Sequence, residues 1–218
     1  MNGQLTIDER LRALRTLMER AVIYRAVSVR CALVAGFLSV ISAAIIYLND
    51  EGRIALGRTV RSRDFVTIWI DVLFVSIVTA IFFLWSEARR SGRAFFSTEL
   101  KIVLGQIAPY LLIPAAFTAW FFSTGYLGAQ ELNLVVVWMA FYGLTLLSML
   151  IFAPRPIVLL GWAFLLTSLA VPVALDAIEH YFSFNVPNVL MGLTFGVYHL
   201  IYAALNWRRR GGCLSHLQ

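Results

Sequence analysis

The chain has 218 residues, of which 60% are hydrophobic and 14% charged, with a formal charge of +6 at neutral pH. A water-soluble domain is roughly half apolar and a quarter charged, so this balance excludes a soluble globular fold. The basic residues gather beside apolar runs, a pattern of membrane orientation and not of nucleic-acid recognition.

Residues 1–26 read as a cytoplasmic amphipathic helix. Ile7, Leu11, Leu14, Met18 and Val22 recur at helical spacing, with Arg10, Arg12, Arg15 and Arg20 on the other faces. Thr6 followed by Glu9 has the spacing of a capping box, in which hydroxyl and carboxylate satisfy free amides of the first turn. Such a helix lies in the headgroup layer, its arginines drawn to anionic lipid. The same pattern also serves a docking helix for a protein partner.

Six runs of about 20 apolar residues follow, each long enough to cross a bilayer as a helix. They are placed at Val27 to Leu48, Phe65 to Ser86, Ile102 to Thr124, Leu132 to Ala153, Ile157 to Leu175 and Pro187 to Trp207. Residues 27–207 therefore form one six-helix transmembrane domain, and 208–218 a cytoplasmic tail. The first run has no short apolar core followed by a small-residue cleavage site, so it is expected to remain in the mature protein.

Lysine and arginine in short connections mark the cytoplasmic side. Arg10 to Arg25, Arg89 to Lys101, Arg155 and Arg208 to Arg210 then place both termini inside. The 49–64 loop is the exception, because Arg53, Arg58, Arg61 and Arg63 fall on the outer side. Either that loop is a surface for an external ligand or partner, or the rest of the topology overrides it.

In the first run Ser28, Ala32, Ala35, Ser39 and Ser42 form a small-residue face suited to close helix contact. Arg30 sits about one turn inside this run and can reach the headgroups by extending its stem. Asp71, about two turns into the second run, cannot extend as far and needs a hydroxyl, an arginine, water or a cavity. In the third run Gly105 and Gln106 precede Pro109 and Pro114. Each proline removes an amide and frees a carbonyl, so this run is expected to kink or to open locally. Pro154 and Pro156 mark a tight turn between the fourth and fifth runs.

At the outer end of the fifth run Asp176, Glu179 and His180 share one helical face. They lack the second half of a motif such as H-E-x-x-H, and no metal site is expected. The sixth run carries the most polar stripe: Asn188, Gly192, Phe195, His199, Tyr202 and Asn206, alternating three and four apart, with Gly192 and Gly196 in a G-x-x-x-G arrangement. That stripe should point into the bundle or into a subunit contact. His199 reads as a hydrogen-bonded packing residue before it reads as a ligand. It differs in depth from Asp71 by about 9 Å, which disfavours a direct pair. Tyr47, Trp69, Trp85, Trp120, Tyr126 and Trp207 lie near run ends and read as interface belts.

No P-loop, nucleophile elbow or dinucleotide-binding glycine pattern occurs, and Cys31 and Cys213 form no C-x-x-C. An enzyme is therefore disfavoured and no cofactor is expected. The stretch LRALRTLMERAVIYRAVS, Leu11 to Ser28, resembles uncharacterised bacterial six-helix inner-membrane proteins often encoded beside winged-helix regulators. That resemblance implies a bacterial cytoplasmic membrane and assigns no residue roles. The functional expectation is a non-enzymatic sensor or protein-binding accessory protein. The alternative is a small-solute or ion transporter or channel with Asp71, His199, Gln106 and the Pro109 region along its route. Beside membrane lipid, a protein bound at the N-terminal helix and a second copy of the chain are the partner candidates.

Overall fold

The computed structural model describes residues 7–50, 62–90, 92, 98–124, 131–149, 153–181 and 185–211, with side-chain surroundings for 29–50, 64–90, 92, 104–124, 131–149, 153–174 and 185–207. The described residues are almost wholly helical. The helices are α1 (Ile7–Asp50), α2 (Ser62–Arg90), α3 (Thr98–Thr124), α4 (Glu131–Ser148) and α5 (Arg155–Tyr181). A final composite helix runs α6 (Val186–Met191), a π segment (Gly192–Tyr198) and α7 (His199–Gly211).

Six of these stretches are long and apolar enough to span a membrane: Val29–Asp50, Asp64–Arg90, Leu104–Thr124, Glu131–Ser148, Arg155–Ala174 and Val186–Trp207. The protein is an all-α bundle of six membrane-spanning helices. Two boundaries differ from the sequence reading in an instructive way. The fourth span is helical to Ser148, short of Ala153, with Met149 in a turn and Ala153 N–H donating to Met149 O at 2.7 Å. Pro154 and Pro156 then begin α5, with Ile157 N–H donating to Pro154 O at 2.9 Å. The amphipathic segment and the first span are joined in α1 without a non-helical residue, giving one helix of 44 residues. At 1.5 Å per residue it is about 66 Å long, about twice the thickness of a hydrocarbon core.

The sixth span is the centre of the bundle. It packs on α1 along one side and on α4 and α5 along the other, while α2 docks chiefly on α1 and α3 chiefly on α4. Burial follows that order, with the sixth span the most enclosed and α2 and α3 the least. At the end where α1 finishes, Ile46, Phe65, Trp69, Leu134, Met139 and Leu190 belong to one core. At the other end Val29, Ala32, Ile157, Tyr202 and Ala203 form a second. Outward surfaces are apolar as lipid requires, with Phe74, Leu112, Leu159 and Leu169 exposed and Val173 87% exposed. Trp85, Trp120 and Trp207 are exposed as interface residues are, and Arg89 stacks 5.3 Å above the Trp85 ring. Trp69 departs from the belt reading. It is buried against Phe65, because the first two turns of α2 are the part that docks on the core.

Two glycine contacts let the central helices approach. A Cβ at Gly196 would lie 2.7 Å from Val40 Cγ2 and one at Gly192 would lie 2.7 Å from Ala43 Cβ, so α1 and the π segment are at backbone contact. Between α4 and α5 a Cβ at Gly143 would fall 2.9 Å from Gly161 O. Dispersion and close backbone approach drive association in lipid, where apolar side chains gain nothing by leaving the hydrocarbon.

Candidate functional site

The polar stripe of the sixth span faces inward. Asn188, Thr194, His199, Tyr202 and Asn206 are all buried, and Phe195 is half-buried. The stripe starts at a defined helix N-terminus, where Asn185 accepts from the Asn188 amide at 3.1 Å and donates from Nδ2 to Asp50 at 3.1 Å. Asn188 Nδ2 donates to Ala43 O of α1 at 2.9 Å, linking this end to the first span. One turn before the far end, Asn206 Nδ2 donates to Tyr202 O at 2.7 Å. The Oδ1 atoms of Asn188 and Asn206 are buried without a hydrogen-bond partner among the described residues.

At the middle of the stripe, His199 Nε2 lies 2.7 Å from Tyr142 Oη of α4. Its other nitrogen, Nδ1, is buried without a hydrogen-bond partner among the described residues. A neutral imidazole protonated on Nδ1 accepts the Tyr142 hydroxyl at Nε2, and one protonated on Nε2 donates to Tyr142 Oη. Aromatic rings enclose the pair. Tyr142 lies 4.7 Å from Phe164 and 5.1 Å from Phe195, and Phe164 meets His199 edge-on at 5.6 Å. Beside it, Thr167 Oγ1 and Tyr198 Oη are 3.0 Å apart, joining α5 to the same span.

The π segment immediately precedes His199. An i→i+5 turn widens the helix and leaves backbone carbonyls out of the usual i→i+4 ladder. Thr194, inside the segment, donates its hydroxyl back to Leu190 O at 2.7 Å. Such segments are rare interruptions of α-helices and are frequent at functional positions. Here it brings Gly192 and Gly196 against α1 while His199 reaches α4.

The other sequence candidates are not gathered around this centre. Arg30, on α1, and Asp71, on α2, are exposed on the bundle surface. Gln106 and Pro109 are likewise on the outward side of α3, and a Cβ at Gly105 would meet nothing within 4 Å. The proline-bearing helix α3 stays continuous from Thr98 to Thr124, so it contains no unwound segment. Thr118 donates its hydroxyl to Pro114 O at 2.7 Å and accepts from Trp138 Nε1 at 3.0 Å, fastening this region to α4. The side chains of Asp176, Glu179 and His180 lie outside the described residues, as do Tyr126 and Cys213. Among the described residues no three His, Cys, Asp or Glu side chains converge as a metal site, and Cys31 is a free, half-buried thiol.

Tyr142, Phe164, Thr167 and the Gly143 and Gly161 contact are the central features that sequence patterning missed. A signal for Tyr142 does exist, since it stands mid-span, away from the interface depth where tyrosine normally serves as a belt residue. No protein-family model matches this chain, and neither a curated protein nor a solved structure matches it.

Proposed function

We propose that this integral membrane protein is non-catalytic and works by contact with another protein, as a sensor or accessory subunit. We place it in a bacterial cytoplasmic membrane with both termini and the arginine-rich start of α1 on the cytoplasmic side. One observation carries the reading. Of the polar side chains drawn into the bundle, Tyr142, Thr167, Asn188, Tyr198 and His199 make helix-to-helix hydrogen bonds, whereas the intramembrane carboxylate Asp71 and the amide of Gln106 are turned outward. Outward polar groups in lipid favour protein contact, because a neighbouring helix supplies the hydrogen bonds that hydrocarbon lacks.

The test is site-specific photo-crosslinking in intact cells from the N-terminal part of α1 and from the outward faces of α2 and α3. A defined adduct with one other protein, lost on deletion of the N-terminal segment or on substitution at the crosslinked face, is the expected result. Adducts with lipid alone count against the reading. Transport is the competing class, with Asp71, His199, Gln106 and Pro109 as its route. Solute flux through reconstituted vesicles that is abolished by both Asp71→Asn and His199→Ala would replace the accessory reading with that one.

A further inference from the structure

Asp71 is the anomaly of the outward surface. By rise per residue it sits about 9 Å from the middle of the Asp64–Arg90 span, well inside a hydrocarbon core of about 15 Å half-thickness. It is exposed, and on the same face Phe74, Val75 and Val78 towards the middle of the span are apolar and exposed, with exposed Thr67 one turn nearer the helix start. An aspartate is too short to carry its carboxylate from that depth to the headgroups, unlike a lysine or arginine. A carboxylate held against hydrocarbon strongly opposes insertion.

The cations whose side chains are described are at the wrong end to neutralise it, and Arg63, at Asp71's end of α2, is eight residues or about 12 Å along the helix from it. Successive spans run antiparallel, so Arg30 at the start of the first span, Arg89 and Arg90 at the end of α2, and Arg155 at the start of α5 all lie on the face opposite Asp71. A second copy of the chain fares no better. Copies inserted with the same sidedness meet about an axis along the membrane normal, which keeps every residue at its own depth, so the partner copy's Arg30, Arg89, Arg90 and Arg155 also stay on the face opposite Asp71.

Resting on the protein-contact reading above, we infer that the Asp71 face of α2 is a docking surface for a membrane helix of another protein that carries a lysine or arginine at the matching depth. Charge complementarity selects that occupant. The partner's cation and Asp71 neutralise one another where neither is well solvated, and the flanking Phe74, Val75 and Val78 supply the apolar contact around the pair. The exposed remainder of α2, docked chiefly on α1, leaves this side free for a helix to lie along it.

The test uses the full-length protein in vesicles of phosphatidylcholine and phosphatidylglycerol, with synthetic polyleucine membrane helices bearing an acceptor dye and a donor dye on the protein's C-terminus. One helix carries lysine at the depth of Asp71, a second carries leucine there, and a third carries lysine near the opposite end. The wild-type protein should bind the first helix about tenfold or more tightly than Asp71→Asn does. The second and third helices should show only the residual binding of that variant. Asp71→Asn is nearly isosteric, and unchanged helicity and elution in detergent establish that it folds. Equal binding by the wild type and Asp71→Asn overturns the inference. So does binding that appears only when Arg53, Arg58, Arg61 and Arg63 are replaced by glutamine, since the chain's own loop would then cover the carboxylate. Self-association lost in Asp71→Asn overturns it in favour of a second copy. Failure here beside a crosslinked partner elsewhere on the protein leaves the accessory reading standing, and failure of both experiments removes it.

Discussion

The Tyr142 and His199 pair shows how a single neutral hydrogen bond can locate one helix against another. Its donor and acceptor come from α4 and the sixth span, 57 positions apart in sequence, and both are surrounded by rings that exclude competing partners. Interhelical hydrogen bonds in membranes contribute about 0.6 kcal/mol on average and rarely more than about 1.7. Tyr142→Phe keeps the ring and should lower stability by about 1 kcal/mol, whereas His199→Ala also opens a cavity and should cost about 2 kcal/mol or more. Reversible unfolding in mixed micelles, run as a double-mutant cycle, reads the pair directly. A coupling near zero would mean that packing alone holds the contact.

Among the elements, the junction of α4 with α5 is the most sensitive to volume. The two backbones meet at Gly143 and Gly161, and a Cβ at either position would fall about 3 Å from the other's carbonyl oxygen. A backbone atom cannot swing aside as a side-chain end can, so Gly143→Val should separate the helices and cost about 3 kcal/mol or more. Gly105→Ala is the matched comparison on α3, where open space surrounds the position, and its thermal midpoint should stay at or slightly above wild type. Thermal unfolding in detergent, followed by loss of the monodisperse peak, distinguishes the two; equal losses would contradict the packing described for α4 and α5. The π segment obeys the same geometry. Gly192 and Gly196 were legible as a G-x-x-x-G pattern, but the partner they approach, the Val40 and Ala43 side of α1, was not. The small-residue stripe read along α1 lies beside that contact line: Ala32 and Ser39 are buried and Ala35 and Ser42 half-buried, while Gly36 meets Leu200 and Gly196.

At the scale of the whole molecule, the bundle has an enclosed middle built around the sixth span and two flanks, α2 on α1 and α3 on α4, most of whose surface faces outward. Spin labels should report that gradient. A label at Leu166→Cys, which is 58% exposed on α5, should be relaxed by lipid-dissolved oxygen and little affected by a water-soluble nickel chelate. One at Leu134→Cys, fully buried on α4, should be shielded from both. Strong nickel access at Leu166 would place water where lipid belongs and would contradict the spanning assignment of α5.

By itself the sequence determined the spans, because burying some 20 backbone amides in hydrocarbon demands uninterrupted helix and a run of apolar side chains, and both are local properties. It also determined that the stripe from Asn188 to Asn206 forms one polar face, since helical period alone aligns those residues. Only the tertiary structure decided which helix that face meets, that Trp69 turns into the core, and that Asp71 and Gln106 turn away from it. The reason is physical. Lipid and protein interiors are about equally apolar, so hydropathy does not say which side of a membrane helix faces inward; shape, glycine contacts and hydrogen bonds between distant residues do.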